Sequence, residues 1–182
     1  PNDPLFGNGL LEQGRTKFIA QDIDGAIAEY LSIAQNFGYL SETAAEALWR
    51  AGYLYATTER PSEARDIFLR LADAYPNTTQ AVSGLQIAAN ALLTINDTFG
   101  AETIFARIAI IPTASADDRA DAYLQVGRLA FARGDQNTAQ TAFNQVVSTS
   151  PNSYYAARAR DILAGRAPFT PPTQYQFEFD IL

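Results

Sequence analysis

A small residue followed four positions later by a large one recurs through this chain, as Ala26/Tyr30/Ile33, Ala64/Phe68/Leu71, Ala101/Phe105/Ile108 and Ala139/Phe143/Val146. The copies stand 38, 37 and 38 residues apart. Upstream of the later anchors lies a companion pattern: Leu48, Ala51, Gly52, Tyr55; then Leu85, Ala88, Ala89, Leu92; then Tyr123, Val126, Gly127, Ala130. Pro76, Pro112 and Pro151 fall at nearly the same phase; Pro76 is read as ending a helix and Pro112 as breaking one. Four copies in phase restrict the fold to an array of one unit. That unit is a helical hairpin, with small residues where two helices approach and aromatics where neighbouring hairpins meet. Phe68 is expected to be buried.

The unit resembles the tetratricopeptide repeat, whose period is about 34 residues. The spacing here is longer by roughly one helical turn, which implies longer helices in the same fold. The expected fold is all-α: a tetratricopeptide-like α-solenoid of about four helical hairpins plus a C-terminal capping helix over residues 1–165. An extended Pro-rich tail with a strand-like end follows over 166–182.

Turn and cap signals set the element bounds. Helices are predicted over 5–19, 26–37, 41–57, 62–76, 77–94, 98–110, from 115 or 117 to 133, over 136–148, and from 151 to 163 or 164. Asp24, Ser41 and Asn77 are read as N-caps, Gly38 and Gly165 as stops, and Pro61 as a first-turn proline.

Composition narrows the function classes. The 182 residues are 47% hydrophobic, enough for a continuous core. Net charge is −7, which disfavours nucleic-acid binding, since that needs a basic surface to displace counterions. The chain has no Cys and no His, so disulfides, thiol chemistry, the commonest general base and the commonest transition-metal ligand are all missing. No cofactor, catalytic residue or metal site is expected. Lys17 is the single lysine. Met is also absent, so the chain reads as a mature, processed or excised segment. No stretch is long and apolar enough to span a membrane.

Local motifs add little chemistry. Asp22-x-Asp24-Gly25 lacks the further oxygen ligands of a calcium loop, with Ile33 at the twelfth position, and reads as a hairpin turn. Asp117-Asp118 starts a helix, where acids interact favourably with the helix dipole. There is no nucleophile elbow and no phosphate-binding Gly-rich loop. The candidate site is instead the face of the first helices, which lines the groove in tetratricopeptide hairpins. Mapping that face gives Arg15, Trp49, Tyr53, Gln86, Asn90, Arg128 and Phe131. Aromatics, amides and two arginines suit a peptide or glycan partner, peptidoglycan included; packing of Trp49 and Tyr53 between hairpins is the competing reading. In the tail, Tyr175, Phe177, Phe179 and Ile181 alternate with Gln176, Glu178 and Asp180, as a strand does. That pattern is expected to serve as an assembly strand toward another chain or a neighbouring subunit; the start of a segment that packs on a further part of the protein is the competing reading.

One further resemblance covers about 25 residues near the C-terminus. Ser153-Tyr154-Tyr155-x-x-Arg158-Ala159-Arg160, followed by Ala164-Gly165-Arg166-x-Pro168-Phe169, resembles the end of the helical-repeat region of bacterial soluble lytic murein transglycosylases. Outer-membrane assembly lipoproteins have similar repeats with a Pro-Asn-Ser turn. In the transglycosylases this region is a non-catalytic scaffold, and a separate lysozyme-like domain carries the catalytic Glu. The resemblance implies an exported protein of the bacterial cell envelope, periplasmic or extracellular. The expected function is a non-catalytic protein-interaction or scaffold module there. The alternatives are the excised scaffold of a lytic transglycosylase, or a self-assembling structural subunit latched by the tail.

Overall fold

The computed structural model describes residues 4–166. Among them are nine α-helices and no strand. They are α1 (Pro4–Ile19), α2 (Ile23–Asn36), α3 (Ser41–Thr57), α4 (Pro61–Ala74), α5 (Thr79–Thr94), α6 (Thr98–Ile108), α7 (Ala116–Ala132), α8 (Gln136–Thr149) and α9 (Tyr154–Leu163). Each helix packs on the next, and the first helices of hairpins also touch across the stack, α1 with α3, α3 with α5 and α7 with α9. The result is four hairpins in series, closed by α9. The tail boundary and the strand residues Tyr175, Phe177, Phe179 and Ile181 lie outside the described residues.

The repeat is a packing device. A Cβ built on Gly52 would lie 2.7 Å from Cζ of Phe68, and one on Gly127 would lie 2.5 Å from Cε1 of Phe143. A Cβ on Gly14 would meet Cε1 of Tyr30 at 2.5 Å. Each hairpin thus seats the aromatic of its second helix on a small residue of its first: Gly14/Tyr30, Gly52/Phe68, Ala89/Phe105, Gly127/Phe143. The companion pattern therefore extends to the first hairpin through Gly14. Phe68 is fully buried, as expected.

The turns inside the hairpins repeat as closely. Gln21 (φ 64°), Glu59 (φ 59°), Asn96 (φ 60°) and Gly134 (φ 86°) are left-handed at one register, 38, 37 and 38 residues apart. A left-handed residue reverses the chain so tightly that the next helix starts two positions later. Asp22, Asp97 and Asp135 follow these residues and cap α2, α6 and α8 by accepting from the N–H of Gly25, Gly100 and Thr138. The N-cap expected at Asp24 is therefore at Asp22, and α2 begins at Ile23 instead of 26. Asp24 instead pairs with Arg60 at 2.8 Å.

Two other expected caps also move. Buried Leu40, not Ser41, holds the N-cap of α3, and its carbonyl accepts from the Ala44 N–H at 2.8 Å. Core burial outweighs side-chain capping there. Thr78, not Asn77, precedes α5, and its hydroxyl donates back to the Tyr75 carbonyl at 2.8 Å. Helix α6 stops at Ile108 instead of 110 because buried Ile111 and Ala114 draw the chain inward. Ser115 and Asp118 form a reciprocal capping box on α7, and Gly165 (φ 66°) follows α9 in the left-handed region, as a helix stop does.

The core divides. One cluster runs from Leu10 to Ala114 and takes in Ala122, Val126 and Ala142; a second holds Ala120, Leu124, Ala130, Ala139, Phe143, Val146, Ala156 and Ala159. Helix α9 ends the second with a polar face. Counted from the N-caps Thr78 and Ser153, Arg160 stands where α5 has buried Leu85, and it is exposed, donating to the Pro151 carbonyl at 2.9 Å.

Candidate functional site

The repeat places the candidate residues in rows. Arg15, Tyr53, Asn90 and Arg128 occupy one register of the four first helices, and all four are exposed. One turn earlier stand Leu11, Trp49, Gln86 and Leu124, of which the two leucines are buried and Trp49 and Gln86 are half-buried. Phe131 is 53% exposed, and its counterpart in the first hairpin is Phe18, at 44%. The first and last hairpins thus carry Arg and Phe at corresponding positions, while the middle two carry Tyr and Asn.

Polar contacts bind these helices side by side. The Trp49 indole N–H donates to Ser83 Oγ at 3.0 Å and the Gln80 amide donates to Glu46 at 3.1 Å, both joining α3 to α5. The Gln86 amide reaches Asp118 on α7 at 3.5 Å. Trp49 and Tyr53 stack with centroids 5.3 Å apart and an interplanar angle of 10°. Trp49 is therefore both a bridge and part of the surface, while Tyr53 is 44% exposed. Among the described residues Arg128 donates a hydrogen bond to the Gln125 amide oxygen of its own helix, at 3.4 Å. Gln86, Asn90, Arg128 and Phe131 share the face but do not gather into one site.

Arg15 and Tyr53 do converge. With Phe18, Tyr30, Arg50 and Leu54 they line a hollow of about 290 Å³ between α1, α2 and α3. The Arg50 guanidinium lies 5.8 Å from the Tyr30 ring centroid, and its Nε donates to Glu46 at 2.8 Å. Burial works against its charge, but hydrogen bonds with Glu46 and Tyr30 outweigh that and push its pKa up. Arg15 engages Glu12 through Nη1 alone, which leaves donors toward solvent. The hollow thus has apolar and aromatic walls with two guanidiniums at its rim, each paired with a glutamate, Arg15 with Glu12 and Arg50 with Glu46. Phe18, Tyr30, Arg50 and Leu54 are absent from the sequence-derived set. The shared register of Phe18 and Phe131 is a signal that finds the first of them.

A second hollow, of about 380 Å³, lies between α7 and α8, lined by Tyr123, Val126, Asn137, Thr138, Thr141, Ala142 and Gln145. It exists because Ala142 occupies the register of Ile67 and Ile104. It carries no charge. Among the described residues no group of three or more Asp, Glu, His or Cys could hold a metal, and no helix is long and apolar enough to cross a membrane.

The tetratricopeptide repeat family model matches residues 46–78 and 121–153, the stretches holding the Trp49–Tyr53 stack and the α7–α8 hairpin. The fold is a tetratricopeptide-like helical repeat. Repeats of this kind are typically non-catalytic scaffolds that bind other proteins. The chain is similar in structure to MamA, at 20% identity over 84% of this chain and 82% of that one, with a TM-score of 0.53. It is also similar to BtubC from P. vanneervenii (15% identity, 98% and 72% covered, TM-score 0.55). A third likeness is to a Podosopora anserina putative kinesin light chain with nearly identical TPR-like repeats (14% identity, 91% and 90% covered, TM-score 0.52). At these identities the likeness is one of fold. No curated protein matches the sequence. Neither the repeat model nor these structures tie the chain to murein transglycosylases or outer-membrane lipoproteins.

Proposed function

We propose that this chain is a non-catalytic protein-interaction scaffold whose first-helix face binds extended segments of partner proteins. The observation that carries the reading is the row Arg15–Tyr53–Asn90–Arg128, exposed at one register of four successive helices. Side chains repeated at a fixed interval along a stack match a partner that is itself extended. An aromatic, an amide and two guanidiniums supply stacking, backbone hydrogen bonding and charge along that line. The setting we assign is the bacterial cell envelope, as part of an exported protein. Its support is the sequence resemblance over residues 143–169.

A displayed library of extended peptides, panned on the intact chain, tests the binding reading. Selected peptides should lose at least tenfold in affinity when Tyr53→Ala and Asn90→Ala are combined, both side chains being exposed. Undiminished binding to that variant, or no enrichment at all, overturns it. Recovery of the native protein in the cytosolic fraction of its own cells overturns the envelope assignment.

A further inference from the structure

We propose that the hollow between α1, α2 and α3 receives residues 175–182 of a second copy of this chain. This rests on the binding reading above and names a partner for the same face.

The hollow sets the size and chemistry of its occupant. At about 290 Å³ it sits at the lower edge of the ~300–1,000 Å³ usual for whole small-molecule ligands, so it suits one or two side chains of a longer segment. Phe18, Tyr30, Tyr53 and Leu54 favour an aromatic or aliphatic group inside. Arg15 and Arg50 favour carboxylates beside it. Residues 175–182 read Tyr-Gln-Phe-Glu-Phe-Asp-Ile-Leu. They offer large apolar groups at every second position, two carboxylates between them and no basic residue. With a net charge of −7, two copies repel at long range, so a contact between them needs local donors for carboxylates, and the guanidiniums of Arg15 and Arg50, each engaged with a glutamate through one nitrogen, offer them.

The described residues contain no strand, so a second copy offers the segment no sheet edge there. The alternating pattern finds its complement in a groove between helices.

A second copy is the better donor on grounds of reach. The tail leaves from α9, and the hollow lies at the other end of the stack. First helices packed at ~8–10 Å put roughly three spacings or more, about 24–35 Å, between them. The eleven residue-to-residue steps from Arg166 to Phe177 span at most ~40 Å when fully extended. Docking within one chain would hold that tether at well over half of its full extension, whereas docking between chains does not. A tail at one end and a hollow at the other make a head-to-tail contact, which builds open chains of subunits.

The chain carries its own reporter. Trp49, the single Trp, stacks on Tyr53, which lines the hollow. We would follow solution mass against concentration for the full chain, for Glu178→Lys/Asp180→Lys and for Arg15→Glu. A synthetic peptide of residues 173–182 would be titrated against Trp49 emission at a concentration where the chain is monomeric. The wild-type mass should climb above 19.8 kDa as concentration rises, each variant should need at least tenfold more protein, and mixing the two variants should restore association. The peptide should shift the emission saturably, and its Lys-substituted form should not. The tail variant leaves every described helix intact, so its result does not depend on refolding. A mass fixed at 19.8 kDa at all concentrations, or association indifferent to both charge changes, overturns the proposal. If library-selected peptides still bind in that case, the scaffold reading stands; if they fail too, both fall.

Discussion

Phe68 and Phe143 hold the same place in their hairpins, yet their surroundings differ. Phe68 lies between Gly52 of its own hairpin and Gly84 of the next, where an added Cβ would come within 2.4 Å of the ring. Phe143 has Gly127 on one side, while α9 presents Ala159 at the register of Gly84. The first three hairpins share one core, which Ala122, Val126 and Ala142 of the fourth also join, and the rest of the fourth with α9 forms another. Where the first region carries Ile67 and Ile104, the second carries Ala142 and leaves a hollow. One repeat can therefore close tightly or loosely according to the bulk at a single register, without any change in its backbone plan.

The largest expected effect contrasts the two rings. Phe68→Ala should cost about 3–5 kcal/mol and weaken the first three hairpins together. Phe143→Ala should cost about 3 kcal/mol and mainly expose α7–α9. Hydrogen exchange at low urea separates the two, and equal deprotection of both regions by either variant would break the comparison. Next comes Gly84→Val, which crowds Phe68 and should cost about 1–3 kcal/mol by urea titration. Ala142→Ile should add about 1 kcal/mol by filling the α7–α8 hollow; a loss would mean the space is not complementary to Ile. At the left-handed register, Glu59→Gly should gain and Gly134→Ala should lose about 1 kcal/mol each, by thermal melts.

The smallest effect is set by pH. The Thr138 backbone N–H, then the Thr138 side chain and Arg133, hold the Asp135 carboxyl below its ordinary value of 3.8. A depressed carboxylate stabilises the fold above its unfolded pKa, and that stability is lost as pH falls through the folded one. Asp135→Ala should therefore melt lower than wild type at pH 6, with the gap narrowing as pH falls below the ordinary carboxyl value of 3.8 and through the depressed folded one. A gap of constant size would show that the charge of Asp135 contributes nothing.

What was legible in the sequence follows from how each feature is encoded. The small–aromatic pairs are local patterns repeated four times, so period, hairpin count and the burial of Phe68 could be read directly. Caps were harder, because Asp22, Leu40 and Thr78 won their positions through a left-handed turn, through burial and through a bond to the preceding helix. Propensity alone favoured Asp24, Ser41 and Asn77. The exposed row could be read because Arg15, Tyr53, Asn90 and Arg128 share a register of the first helices. The hollow could not, because Phe18, Tyr30 and Arg50 come from three helices and meet only once the hairpins stack.

The left-handed residue at each hairpin turn has a consequence for how such a chain can change length. Gln21, Glu59, Asn96 and Gly134 fix where one helix stops and the next begins. A single inserted or deleted residue between that turn and the aromatic would rotate the ring by about 100° around its helix. It would leave its glycine seat and point toward solvent or the wrong neighbour. Drift inside the hairpin is thereby penalised, and growth is channelled into whole duplicated units or into the joints between hairpins, such as residues 109–115. The molecule is in that sense digital, with the hairpin as its smallest unit of change.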